Sequence, residues 1–126
     1  MTPAKQVWSA LLADAVCVIA FCAMGRRSHA EGVTVSGVAE TAWPFLAGAV
    51  IGWLVSRGWR RPLAIAPTGI AVWVCTIAAG MVLRKANSAG VAVTFVIVAS
   101  TVTAALLLGW RAVAALTRRR SAGRRA

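Results

Sequence analysis

Asp14 is the side chain whose type and position in this 126-residue sequence most demand a chemical explanation. It lies inside an apolar run, Val7 to Met24, that is otherwise broken only by Ser9. Helical rise puts it roughly 10 Å below the start of that run. An ionised carboxylate at such depth costs on the order of 2.5 to 3.5 kcal/mol on insertion scales, so it must face other helices, carry a proton or have a partner. Thr68 could cap it with a hydroxyl, and Arg57 could reach it by snorkelling from the end of the second span. Two readings stand at this point. Asp14 is either a structural group, or the proton or cation carrier of a small transporter or channel.

A second set of polar groups gathers between the spans. Arg26, Arg27, His29, Glu31, Glu40, Thr41, Arg84, Lys85 and Asn87 all fall in or beside the first and third connections, which emerge on one side of a four-span chain. Opposite charges at that density pair with one another, and the N-terminal end of the second helix adds unsatisfied N–H groups, so the cluster could attract a small anion. The plainer reading is that these charges tie the long first loop across the bundle. His29 is the sole histidine and has no second ligand to complete a metal or haem site. No phosphate-binding glycine loop, nucleophile with a base, or metal-ligand cluster occurs, so neither an enzyme nor a cofactor is expected.

The elements that hold these groups follow from composition. Hydrophobic residues make up 60% and charged residues 13% of the chain. A soluble domain of this size would still expose roughly a third of its surface, far more than so few polar residues could cover, so the surrounding solvent must be lipid. Four helical spans are expected, at about 7–24, 41–56, 63–83 and 91–116, each near the roughly 17 to 25 residues a crossing requires. Thr41 reads as the N-cap of the second helix, with Pro44 in its first turn. Trp43 and Trp59 bracket that helix as interfacial anchors. Pro67 should kink the third helix or mark its true start. The segment 117–126 is a basic tail without an apolar anchor, expected to be disordered or to lie on anionic headgroups.

The formal net charge of +11 does not point to nucleic acid, because the basic residues sit at the ends of apolar runs rather than along one helical face. It points to orientation. With the N-terminus in the cytoplasm, Lys5, Arg57, Arg60, Arg61, Arg111 and the five tail arginines lie inside, against Arg26, Arg27, Arg84 and Lys85 outside. Cys17, Cys22 and Cys75 fall in apolar runs and read as small packing residues. Gly48, Gly52 and Ser56 form a smooth face on the second helix, open to a helix of the same chain or of a second copy. Gly69, Trp73, Thr76, Gly80 and Arg84 recur along one side of the third.

Several strings resemble a family. GRRSHAEG (Gly25 to Gly32), TAWPFLAG (Thr41 to Gly48) followed by Gly52-Trp53, the pattern from Gly69 through Trp73 and Thr76 to Gly80-Met81 and Leu83-Arg84, and Gly109-Trp110-Arg111 together look like the membrane proteins grouped as domain-of-unknown-function family 3054. The resemblance runs from about Trp8 to Arg111. It implies a four-span protein of a bacterial plasma membrane, draws attention to Asp14, Arg26, Ser28, His29, Thr41, Trp43, Pro44 and Arg84, and carries no activity, substrate or cofactor.

The expectation is therefore an all-α, four-helix transmembrane bundle with both termini cytoplasmic. Its leading function is that of a non-enzymatic binding or accessory component, joining a larger membrane assembly or self-associating through Gly48 and Gly52. The alternative is a small transporter or channel in which Asp14 couples protons or cations.

Overall fold

The computed structural model describes residues 3–28, 34–86 and 93–125. Their helices are α1 (Pro3–Ser28), α2 (Val35–Ser56), α3 (Ile70–Ala86) and α4 (Val93–Arg125). Among the described residues four segments are long and apolar enough to cross a membrane: Pro3–Gly25, Val35–Ser56, Ile65–Ala86 and Val96–Arg120. Each helix packs on its neighbours in the chain, and α4 closes back on α1 to complete an up-down-up-down ring, with α2 and α3 the closest pair.

That close pairing has a local cause. A Cβ on Gly48 would meet the Cys75 carbonyl and come within 2.7 Å of the Thr76 Cα, and one on Gly52 would come within 2.6 Å of the Val72 Cα. The small-residue face therefore seats the backbone of α3 and is spent inside the chain. Of the two partners that the sequence leaves open for this face, a helix of the same chain is the one seated on Gly48 and Gly52. Gly80 on α3 likewise makes room for the Phe45 ring, whose Cε1 would lie 2.6 Å from an added Cβ. Phe45 in turn meets Phe21 of α1 edge-on at 5.5 Å. Outward-facing Trp8, Leu12, Val16, Leu54, Val55, Val82 and Val98 are all more than half exposed. A chain that turns large apolar side chains outward on every helix is built for hydrocarbon.

The element boundaries differ from the expected ones in three places. α2 begins six residues before Thr41: Thr34 is its N-cap, with its hydroxyl accepting from the Gly37 N–H at 3.0 Å. Thr41 lies inside the helix and donates to the Gly37 carbonyl at 3.1 Å, and Pro44 is a buried interior residue. Before α3, Ala66 is extended at φ −122° and ψ 136°, the conformation that a following proline imposes. One wide turn, Ile65–Gly69, leads from there into the regular helix, closed by the Gly69 N–H on the Ala64 carbonyl at 3.0 Å. Pro67 thus marks the start of the third span. Finally, α4 continues past Leu116 to Arg125. Five of the nine residues of that stretch are arginine, a good helix former, and arginines complement the negative C-terminal end.

Candidate functional site

Two helical stripes meet where α1 and α4 run side by side. On α1 the buried residues Ala10, Asp14, Val18 and Cys22 recur every fourth position, and on α4 Ala99, Thr103, Leu107 and Arg111 do the same. Residues spaced by four share one face of a helix, so each stripe turns toward the interior. Because the helices are antiparallel, a position early in α1 stands level with one late in α4. That register brings Asp14 to Arg111.

The contact is a two-pronged ion pair. Arg111 Nη1 donates to Asp14 Oδ1 and Nη2 to Oδ2, each at 2.8 Å. The two side chains are 0% and 3% exposed. Two indoles complete the carboxylate's shell: Trp53 Nε1 of α2 donates to Oδ2 at 2.8 Å and Trp110 Nε1 of α4 to Oδ1 at 2.9 Å. Each oxygen accepts twice, which fills the roughly four lone-pair positions a carboxylate offers. The guanidinium engages four of its five N–H groups. Its Nε donates to the Pro62 carbonyl at 3.2 Å and Nη1 also to the Leu107 carbonyl at 3.1 Å, while its Cζ lies 4.5 Å from the centre of the Trp110 ring.

Neighbouring residues make this arrangement fit. An added Cβ on Gly69 would lie 3.0 Å from Arg111 Cδ, so the glycine leaves space for the arginine stem. Gly58 lets the Trp53 ring lie flat against the chain end of α2, where a Cβ would come within 2.5 Å of Cε3. The pair therefore joins α1, α2, α4 and, through Pro62, the link between α2 and α3. Charge-assisted, geometrically matched hydrogen bonds of this kind are the strong ones, and a buried charge with all partners in place is tolerated in low dielectric.

Neither partner proposed for Asp14 is used. The Thr68 hydroxyl donates to the Arg61 carbonyl at 2.7 Å, and Arg57 is exposed at the end of α2. Arg111, Trp53 and Trp110 take their places. The signal available in the sequence is Arg111 inside the expected fourth span, 91–116, with Asp14 the one acid inside any of the expected spans.

The remaining sequence candidates fall elsewhere. Arg26 and Arg27 stand on the last turn of α1, with side chains outside the described residues, as are His29 and Glu31 altogether. Glu40 is exposed near the start of α2, Trp43 is 47% exposed, and Arg84 is half-buried and engaged near the end of α3. The antiparallel topology does bring those three helix ends to the same end of the bundle. Ser56 bonds within its own helix, to the Gly52 carbonyl at 2.7 Å. Trp73 ties α3 to α4 by donating to the Ser100 carbonyl at 3.0 Å. Cys17, Cys22 and Cys75 are free thiols. Among the described residues no three His, Cys, Asp or Glu side chains converge on a metal site.

A family model described as "Protein of unknown function (DUF3054)" matches residues 11–114, a stretch that contains all four members of the Asp14 cluster. No curated protein and no solved structure matches the chain.

Proposed function

The chain belongs to the family described as Protein of unknown function (DUF3054), and from that premise, which brings no activity with it, we propose that it is a non-enzymatic multi-pass protein of the bacterial plasma membrane, serving as a binding or accessory component. Both termini face the cytoplasm in this reading, following the excess of arginines at the end of the bundle that holds Pro3, Arg57 to Arg61 and Arg118 to Arg120.

One observation carries the preference for a binding component over a carrier. Asp14 accepts four hydrogen bonds and is 2% exposed. A coupling carboxylate must exchange its proton or cation with water on each side in turn, whereas all acceptor positions of Asp14 are taken by groups that themselves anchor helices. Its chemistry goes into holding the bundle shut. What a partner then meets is the outside of a rigid bundle, by way of its apolar flanks and its charged ends, and the Gly48 and Gly52 face is already occupied by α3.

Reconstituted liposomes test this. The reading expects proton and cation fluxes equal to those of protein-free liposomes, and mild extraction that recovers the chain with a stoichiometric partner. A flux that Asp14→Asn abolishes while helicity and monodispersity are retained would replace it with the carrier reading. A reporter fused after Ala126 that is active only outside the cell would reverse the orientation.

A further inference from the structure

The link between α2 and the third span is folded and pinned, and its arginines are what it presents. α2 ends with Arg57 in the left-handed region at φ 52° and ψ 52°. The Gly58 N–H bonds the Trp53 carbonyl at 2.9 Å and the Arg57 N–H bonds the Leu54 carbonyl at 3.4 Å, the two bonds of a Schellman stop. Three tight turns follow: Arg60 N–H to Arg57 carbonyl at 2.9 Å, Arg61 N–H to Gly58 carbonyl at 3.2 Å, and Ala64 N–H to Arg61 carbonyl at 3.2 Å. The Arg61 carbonyl also accepts from Thr68, and the Pro62 carbonyl from Arg111. This seven-bond scaffold holds the backbone of Arg57, Arg60 and Arg61 in place before anything binds.

Two cavities open beside it and share Arg60 and Arg61. One, of ≈ 210 Å³, adds Ser56, Arg57, Pro67 and Thr68; the other, of ≈ 400 Å³, adds apolar Leu63, Ala64, Ile65 and Ala115 together with Gln6 and Arg118. Four guanidinium-bearing residues thus surround them. Among the described residues no carboxylate answers these arginines: Asp14 is committed to Arg111, and Glu40 lies roughly 24 Å away along α2 by helical rise. The rim is greasy as well, with Trp59 49%, Ile65 40% and Leu116 57% exposed.

We propose that this twin cavity is a binding site for the phosphate of an anionic phospholipid, with Arg60 and Arg61 as the shared clamp, Arg57 and Arg118 flanking, and the apolar wall of Leu63, Ile65 and Ala115 receiving the start of an acyl chain. Planar guanidinium groups match phosphate oxygens in pairs, and basic pockets between helices at the membrane surface suit lipid headgroups. Four spanning helices place this end at the headgroup level, and the combination of basic floor and apolar wall fits a lipid better than a soluble anion. The proposal goes beyond the accessory reading and does not depend on it, since a lipid site serves a carrier equally well.

The test titrates short-chain phosphatidylglycerol into the protein in zwitterionic micelles, followed by Trp fluorescence, with phosphatidylcholine, whose phosphate is offset by its choline cation, as the net-neutral comparison. Arg60→Gln/Arg61→Gln should weaken binding by about tenfold or more, while Arg119→Gln/Arg120→Gln, which removes the same charge outside the cavities, should change it less than about twofold. Arg57→Gly keeps the backbone conformation that position adopts and guards against a folding artefact: it should retain or raise thermal stability while lowering lipid affinity. Equal losses in the two double variants would overturn the site in favour of diffuse charge. Inorganic phosphate displacing the lipid at matched concentration would overturn the lipid assignment in favour of a soluble anion. An Arg57→Gly protein that is folded and binds like wild type would overturn the flanking role of that arginine in the site.

Discussion

Replacing Arg111 with methionine keeps the length of the buried stem and removes the charge that answers Asp14. The guanidinium makes four of the contacts around this cluster: two to the Asp14 carboxylate and one each to the Pro62 and Leu107 carbonyls. Breaking a buried pair from one side costs about 3 to 5 kcal/mol, because the surviving charge stays desolvated. Trp53 and Trp110 continue to donate to the carboxylate at 2.8 and 2.9 Å, and a denatured state that remains in the membrane or micelle finds substitute partners, so the lower end, about 3 kcal/mol, is expected. Adding Asp14→Asn removes the stranded charge. What then remains is the Pro62 carbonyl without its donor and one indole N–H facing the new amide N–H2 instead of an acceptor, each about 1 to 3 kcal/mol. The double variant should therefore lose less than the two single variants summed. Reversible unfolding in mixed micelles titrated with dodecyl sulfate, followed by circular dichroism, measures all three proteins. A loss below about 1 kcal/mol for Arg111→Met, the scale of a surface pair, would refute the reasoning. So would strictly additive effects of the two substitutions.

Other substitutions separate the contributions. Trp53→Phe keeps the ring and deletes one N–H to Asp14, which should cost about 1.5 to 3 kcal/mol, the scale of a hydrogen bond to a charged group, in the same unfolding assay. Gly52→Ala drives a methyl into the backbone of Val72 and should destabilise by about 1 to 3 kcal/mol with no change in oligomeric state by light scattering; a change in oligomeric state with stability intact would restore the self-association role of that face. Thr76 has a fully buried hydroxyl without a hydrogen-bond partner, so Thr76→Val, nearly the same shape, should raise stability by about 1 kcal/mol or more, and a loss instead would mean that the hydroxyl has a partner in the membrane.

The sequence disclosed the four spans because apolar run length is a direct consequence of bilayer thickness, and it disclosed that Asp14 needed company because ions are costly in hydrocarbon. It did not disclose the partner. Arg111 sits 97 residues away, and naming it requires the register between α1 and α4, which depends on how deep each helix rides in the ring. Trp53 and Trp110 stand out in the sequence only within the strings that resemble the family; the packed geometry is what turns both indole N–H groups onto one carboxylate. α2 starts before Thr41 for a local reason. Thr41 followed by Pro44 is a sound N-terminal signature, but Thr34 caps equally well, and an interior proline loses just one ladder bond when the freed carbonyl, here that of Glu40, belongs to an exposed residue. Glycines at 48 and 52 announced a close approach; whether the approach was within one chain or between two was decided by Val72, Cys75 and Thr76, which no spacing rule identifies.

The most direct test of the central claim, that one carboxylate gathers Arg111 and two indoles to lock the bundle, is a comparison of the six indole N–H resonances by nitrogen-15 NMR in bilayer nanodiscs before and after Asp14→Asn. The account predicts that the Trp53 and Trp110 signals both move, together with the Arg111 side-chain signals, while Trp8, Trp43, Trp59 and Trp73 stay in place. Trp53 and Trp110 resonances that remain where they were would contradict it.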